Sequence, residues 1–170
     1  MTGAASAFAR IVLLMGVAGA GKSTVGRLLA AELGWDYRDA DDFHSAAAKE
    51  KMARGLALDD VDRAPWLAAI RAAIEAALAA GRPAVFTCSA LKERYRRVLL
   101  DGLERVMLVY LTGDAALLRS RLEQRSGHYM QPEMLESQLA ALEPPARALC
   151  LDVARPPAEL VAEIKQRLLP

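Results

Sequence analysis

What this sequence lacks narrows what the protein can do. Lys and Arg number 22 against 21 Asp and Glu, so no global field exists to gather nucleic acid or an acidic membrane. Aromatic residues make up 5% and are not interleaved with basic ones, as a nucleic-acid groove would require. No apolar run approaches the ~20 residues of a membrane span. Hydrophobic residues reach 54%, but much of that share is alanine. The two cysteines, Cys88 and Cys150, lie in apolar, strand-like runs and read as buried free thiols rather than a disulfide or a metal pair. Met1 to Ala9 has no basic region and no long apolar core, and reads as a loose tail rather than a secretory leader. The expectation is a cytoplasmic protein with one domain over 10–170 and no internal repeat.

What is present starts with Gly16-Val17-Ala18-Gly19-Ala20-Gly21-Lys22-Ser23, with Thr24 behind it. The spacing is that of a P-loop: Gly, four residues, Gly, Lys, then Ser or Thr. Ile11 to Met15 before it are all apolar and read as a strand buried on both faces. Val25, Leu28, Leu29 and Leu33 after it recur at helical spacing. Glycines between a strand and a helix let backbone N–H groups turn inward, and the helix adds its free donors and positive dipole end. Lys22 then reaches the β- and γ-phosphates, and the Ser23 hydroxyl holds Mg²⁺. The pattern predicts a nucleotide-phosphate site.

Strands and helices alternate along the rest of the chain. Strands are expected at Trp35–Asp39, Pro83–Cys88, Val106–Leu111 and Leu149–Val153. Helices are expected near 46–53, from an Asp62 cap to Gly81, over 91–100 and 114–125, from Pro132 to about 142, and over 156–169. Such alternation predicts an α/β fold, a parallel sheet with helices on both faces. Ligands in such sheets bind beyond the carboxyl ends of the strands.

Those ends carry the polar residues. Asp39 and Asp41 follow the second strand and, two apart in an extended segment, can face one site. Phosphoryl transfer to a hydroxyl needs a metal held near the phosphates and a carboxylate to take the proton, and the two could divide those jobs. His44 follows closely. Arg63 at a helix start is unfavourable to the dipole, and could instead grip a substrate carboxylate. Ser89 and Lys92 follow the third strand, ahead of a basic run with Arg94, Arg96 and Arg97. Arg121 and Arg125 stand four apart on one expected helix face, where like charges repel and a bound triphosphate would reverse that cost. The Ser126-Gly127-His128-Tyr129 loop beyond them suits a lid that excludes water. Leu151 to Ala154 could line the purine.

Taken together, these segments resemble the gluconate kinases of the small P-loop type, also called thermoresistant gluconokinases. The matching residues are 14–24, 39–44, Lys51-Met52, and Gly55 through Asp59-Asp60-Val61-Asp62-Arg63-Ala64-Pro65-Trp66-Leu67. Cys88-Ser89-Ala90-Leu91-Lys92 with Tyr95-Arg96, Arg121 to Tyr129, and Met134 to Gln138 match as well. The P-loop and paired aspartates alone would also suit shikimate or nucleoside monophosphate kinases, or a silent nucleotide sensor. The later segments are more specific.

The resemblance implies a P-loop NTPase fold of the nucleoside monophosphate kinase type, with a five-stranded parallel sheet and a helical lid. It further implies ATP- and Mg²⁺-dependent phosphorylation of D-gluconate, and a homodimer. By motif, Asp41 would contact the acceptor hydroxyl, and Ser23 and Asp39 would serve the metal. Arg63, Ser89, Lys92, His44, Arg96 and His128 would hold the sugar acid. Lys22, Arg121 and Arg125 would act on the phosphates. The acceptor segment would span about 40–65 and the lid about 121–135. The chain departs from the family pattern at Ser45, where proline is common, at Asp59, where Asn or Thr is usual, and at Ala46-Ala47-Ala48, which replace more polar residues.

Overall fold

The structure is a computed structural model that describes residues 10–125 and 132–168. The tail, Ser126, His128 and Tyr129 lie outside the described residues. Five strands, β1 (Ile11–Met15), β2 (Asp36–Asp39), β3 (Ala84–Thr87), β4 (Val106–Thr112) and β5 (Leu149–Asp152), form one sheet in the order β2-β3-β1-β4-β5. Every pairing is parallel.

β1 sits at the centre with all five residues fully buried. Alternation sends its side chains to two cores. Val12 and Leu14 join Val85, Val109 and Leu111 on one face. Ile11, Leu13 and Met15 join Ala84, Phe86 and Tyr110 on the other. The first core is closed by α1 (Lys22–Leu33), α5 (Ala115–Glu123), α6 (Pro132–Ala141) and α7 (Pro157–Leu168). The second is closed by α3 (Asp60–Ala79) and α4 (Glu93–Leu100). A short helix α2 (Ala46–Ala53) lies between β2 and α3.

Register brings the site together. Leu14 pairs with Thr87, and Thr87 pairs with Asp39. The chain therefore leaves β1, β2 and β3 at one level, beside the point where consecutive connections diverge around β1. That is where an open α/β sheet binds ligands. Gly26 lets α1 close on this edge: a Cβ there would lie 2.8 Å from the Thr87 methyl and 2.9 Å from the Tyr37 ring.

Several local expectations change. α3 starts before Asp62. Asp59 is the N-cap, its carboxylate accepting from the Asp62 N–H, while the Asp62 carboxylate accepts from the Asp59 N–H. This reciprocal capping box satisfies two free donors where a lone Asp62 cap would satisfy one. α5 ends at Glu123, and the Arg125 N–H turns back to the Leu122 carbonyl. Arg121 and Arg125 therefore do not share a helix face. Asp41 lies in a 3₁₀ turn, Ala40–Phe43, rather than an extended segment. Cys150 is exposed. It sits on the edge strand β5 and points away from the core that takes Leu149 and Leu151.

Candidate active site

The P-loop connects β1 to α1. Gly19 adopts φ +81°, and a Cβ on it would meet the Leu118 carbonyl oxygen at 2.9 Å, so the loop fits against α5 only with glycine here. Lys22 folds back over the loop, and its Nζ donates to the Gly16 and Val17 carbonyls at 2.9 and 3.1 Å. Burial pulls the ammonium below the usual lysine range, against the opposing pull of Cys88, Asp41 and Asp39. The Cys88 thiol beneath is pushed up to about 12 by burial. It is neutral and offers no nucleophile.

Asp39 is the hub of the carboxylate pair. Its Oδ2 accepts from the Ser23 hydroxyl at 3.5 Å and the Tyr37 hydroxyl at 3.3 Å, and its Oδ1 from the Asp41 N–H at 3.0 Å. Tyr37 is held in turn by Thr87, at 3.0 Å. The Ser23 hydroxyl and Asp39 carboxylate thus put two hard oxygens at the loop's exit. Among the described residues no three metal-ligating side chains form a cage. Mg²⁺ in phosphoryl-transfer sites commonly takes one or two protein oxygens, the rest coming from phosphates and water. The residues present fit that ion.

The bond from the Asp41 N–H to Asp39 fixes the Asp41 backbone, and its carboxyl feels the charges of Asp39, His44 and Lys22. Its carboxyl is raised above the ordinary aspartate range, first by burial and then by the Asp39 charge, while His44 and Lys22 pull it back. His44 stacks on Trp66, with ring centroids 4.5 Å apart and planes within 8°. The Trp66 Nε1–H donates to the Ala40 carbonyl at 2.7 Å, pinning the 3₁₀ turn to α3. Burial lowers the His44 pKa, and its buried Nδ1 has no partner among the described residues.

Across the cleft, Tyr95 gathers the cations. Arg63, Lys92 and Arg94 lie over its ring at 5.7, 6.0 and 5.3 Å. Its hydroxyl donates to Asp60 at 2.7 Å and accepts from Arg63 at 3.4 Å. Arg94 pairs with Asp60 at 2.6 Å. Among the described residues, Arg63 and Lys92 have no carboxylate partner, so the cluster keeps positive charge beside a half-buried Ser89. An anionic ligand would complete it.

Arg96 does something else. All five of its N–H donors are used: Nε and Nη2 on the Glu93 carboxylate, Nη1 on the Ala90 and Leu91 carbonyls, and Nη2 again on the Glu143 carbonyl. It is 4% exposed. No donor remains for a sugar acid, which removes Arg96 from the substrate set. It fixes the 88–92 loop, where Ala90 is held at φ +44°, a conformation disfavoured for a residue with a Cβ.

On the other side of the P-loop, a cavity of about 260 Å³ is lined by Gly21, Thr24, Arg121, Arg125, Val153 and Arg155, among others. Arg121 donates to the Val153 carbonyl at 2.6 Å, which ties α5 to the turn after β5. Arg121 and Arg125 thus meet at this cavity although they share no helix face. Sequence reasoning missed Arg155, Tyr37 and the Tyr95–Asp60 pair. Tyr37 meets Thr87 across 50 residues and Tyr95 meets Asp60 across 35, while Arg155 pairs locally with Glu159 and Glu163 and only its place at the cavity marks it.

A family profile described as an AAA domain matches residues 11–145. A probable gluconokinase from Mus musculus is 44% identical over 153 residues, covering 80% of this chain and 83% of that protein. This chain belongs to the gluconokinase family. The thermoresistant gluconokinase of Escherichia coli is 38% identical, with 89% of each chain covered. The crystal structure of a gluconokinase from Sinorhizobium meliloti superposes with a TM-score of 0.77 at 39% identity, covering 92% of this chain and 90% of that one. This chain therefore has the P-loop kinase fold of the nucleoside monophosphate kinase type, with five parallel strands.

Proposed function

We propose that the protein transfers the γ-phosphoryl group of ATP to D-gluconate, giving 6-phosphogluconate and ADP. What supports this reading is that Asp41 feels the charge of Lys22 in the P-loop and of His44, which in turn feels that of Arg63. Arg63 and Lys92 lie around Tyr95 with no carboxylate partner of their own among the described residues. A sugar acid presents a carboxylate to such a cluster and a hydroxyl to Asp41. Relatives named gluconokinase support the same substrate.

In this reading the P-loop amides and Lys22 hold the β- and γ-phosphates, and Arg121 and Arg125 neutralise charge on the transferring group. Ser23 and Asp39 would hold Mg²⁺, which supplies charge neutralisation on the phosphates when bound. Arg63 and Lys92 fix the acceptor carboxylate, with Ser89 and His44 near its hydroxyls. Asp41 accepts the proton of the acceptor hydroxyl as that oxygen bonds to the γ-phosphorus and the bond to the ADP oxygen breaks. His128 belongs to the same proposal by motif alone. The family resemblance also suggests a homodimer in the cytoplasm. Among the described residues no helix is long and apolar enough to cross a membrane.

The test is ADP release from Mg²⁺-ATP with D-gluconate, shikimate, glycerate, AMP and CMP offered separately. Turnover with gluconate alone is the expected result. Preference for another acceptor would keep the kinase and discard gluconate. Sedimentation of the purified chain at twice the monomer mass would support the dimer.

A further inference from the structure

One contact at the P-loop belongs to none of the roles above. The Ala18 N–H, inside the phosphate-binding loop, donates to the side-chain Oε1 of Gln138 at 2.7 Å, across 120 residues of chain. Ala18 is 6% exposed, so this amide would otherwise be a buried donor without an acceptor. Gln138 sits on α6, which packs against α5 and the first core. Leu135, one turn earlier, is fully buried in the first core, and Glu136 pairs with Arg119 of α5 at 2.8 Å.

The far end of the same helix reaches the acceptor side. Just past α6, the Glu143 N–H donates to the Leu91 carbonyl, and the Glu143 carbonyl accepts from Arg96 at 2.8 Å. The Glu143 carboxylate accepts from the Glu93 N–H at 2.7 Å. That last bond caps α4, whose own N-cap residue, Lys92, provides no side-chain cap. From Gln138 to Glu143, five residues of chain therefore connect the phosphate-donor loop to the loop bearing Ser89 and Lys92.

We propose that Gln138 is a positioning residue for phosphoryl transfer. Its carboxamide oxygen holds the Ala18 amide, and with it the mouth of the P-loop, in register with the acceptor loop anchored through Glu143. α6 acts as a strut that sets the spacing between donor and acceptor. In-line transfer is sensitive to such spacing, since a displacement of about 1 Å can cost ~10²-fold in rate. The inference rests on the phosphoryl-transfer reading above, but part of its test does not depend on the acceptor.

Two variants separate the hydrogen bond from packing. Gln138→Ala removes the side chain at a half-buried helix position. Gln138→Met keeps the volume but removes the oxygen. Calorimetric binding of Mg²⁺-ADP is measured for both, together with kcat and the gluconate KM. Both variants are expected to weaken ADP about 5- to 10-fold, the size of one hydrogen bond. Both should lower kcat about 10-fold or more while the gluconate KM stays within about twofold. Unchanged or tighter ADP binding in either variant overturns the proposal, because the loop would not need the bond. Weakening in Gln138→Ala with full function in Gln138→Met would reduce the role to packing, and also overturns it. If the unaltered protein ignores gluconate, the proposed substrate falls while ADP binding still decides the role of Gln138.

Discussion

Replacing Arg96 separates a structural role from a substrate role. Its guanidinium donates to the Ala90, Leu91 and Glu143 carbonyls, two of those three bonds being buried, and the Leu91 carbonyl also accepts from the Glu143 N–H. A buried polar atom left without its partner costs about 1–3 kcal/mol. The Ala90 carbonyl is the one left without a partner among the described residues, since Leu91 keeps the Glu143 N–H and water can reach the Glu143 carbonyl and the half-exposed Glu93 carboxylate. Arg96→Ala should therefore lower unfolding free energy by about 1–3 kcal/mol. Against a typical total of about 5–15 kcal/mol, the variant remains folded at room temperature. Lysine has three donors for these five contacts, so Arg96→Lys should recover about half of the loss. Urea denaturation gives both numbers from the midpoint shift. The gluconate KM is measured on the same samples. A midpoint unchanged within about 0.5 kcal/mol, with KM raised tenfold or more, would refute the structural assignment and return Arg96 to the substrate.

Further outcomes concern Asp41, Arg63 and α2. Asp41→Asn should lower kcat by about 10²–10⁴-fold with little change in gluconate KM; a change in KM alone would argue against proton acceptance. Because the folded-state pKa of Asp41 lies above its unfolded value, the folded protein binds the proton more tightly between the two. Stability should therefore fall as pH rises through that window, and Asp41→Asn should flatten the decline, as read from denaturation midpoints across pH. Arg63→Ala should raise the gluconate KM about 10- to 100-fold, the size of a charge-assisted hydrogen bond, with ATP KM steady; an unaltered gluconate KM would remove Arg63 from the site. α2 buries only Ala48, so its amides should exchange with solvent far faster than those of β1 and should slow when gluconate is added. Equal protection of α2 and β1 without ligand would contradict this.

The strand, loop and helix around Gly16 to Ser23 were legible because their signal is local: glycine spacing, an apolar run and a helical period within about 20 residues. The sheet followed from alternation, and register then placed the loop ends at one level. The carboxylate pair was found by an argument the structure does not follow. An extended segment would aim Asp39 and Asp41 together, whereas here Asp39 caps a 3₁₀ turn and holds the Asp41 backbone. Arg96 was misread because Lys92, Arg94, Arg96 and Arg97 look alike in sequence. Its burial shows only once Tyr95 and Leu99 are seen as the inward face of α4, with Arg96 beside them. Cys150 was misread because an apolar run does not reveal which strand will be the sheet's edge. The bond from Gln138 to Ala18 spans 120 residues, beyond the reach of any local pattern.

Two of the departures from the family pattern, Ser45 and Asp59, show what holds the acceptor segment together. Ser45 is the N-cap of α2, its hydroxyl accepting from the Ala48 N–H at 3.1 Å, and Asp59 begins the capping box of α3. Both substitutions fall on residues that start helices, and both supply an oxygen that a helix start requires. Between them, Lys51 reaches Asp62 at 2.6 Å, a partly exposed pair worth about 0–1 kcal/mol. A stretch with one buried alanine in its helix, two caps and one such pair has little apolar area holding it to the sheet. The P-loop, by contrast, grows from a strand with no exposed residue. The P-loop and the 88–92 loop, joined by α6 at Gln138 and Glu143, are therefore held firmly, and the stretch from Ser45 to Asp59 is the loosely tethered part. A kinase that must admit a hydrophilic sugar acid and then exclude water needs that division, because only the loosely held part can close without unpacking the core.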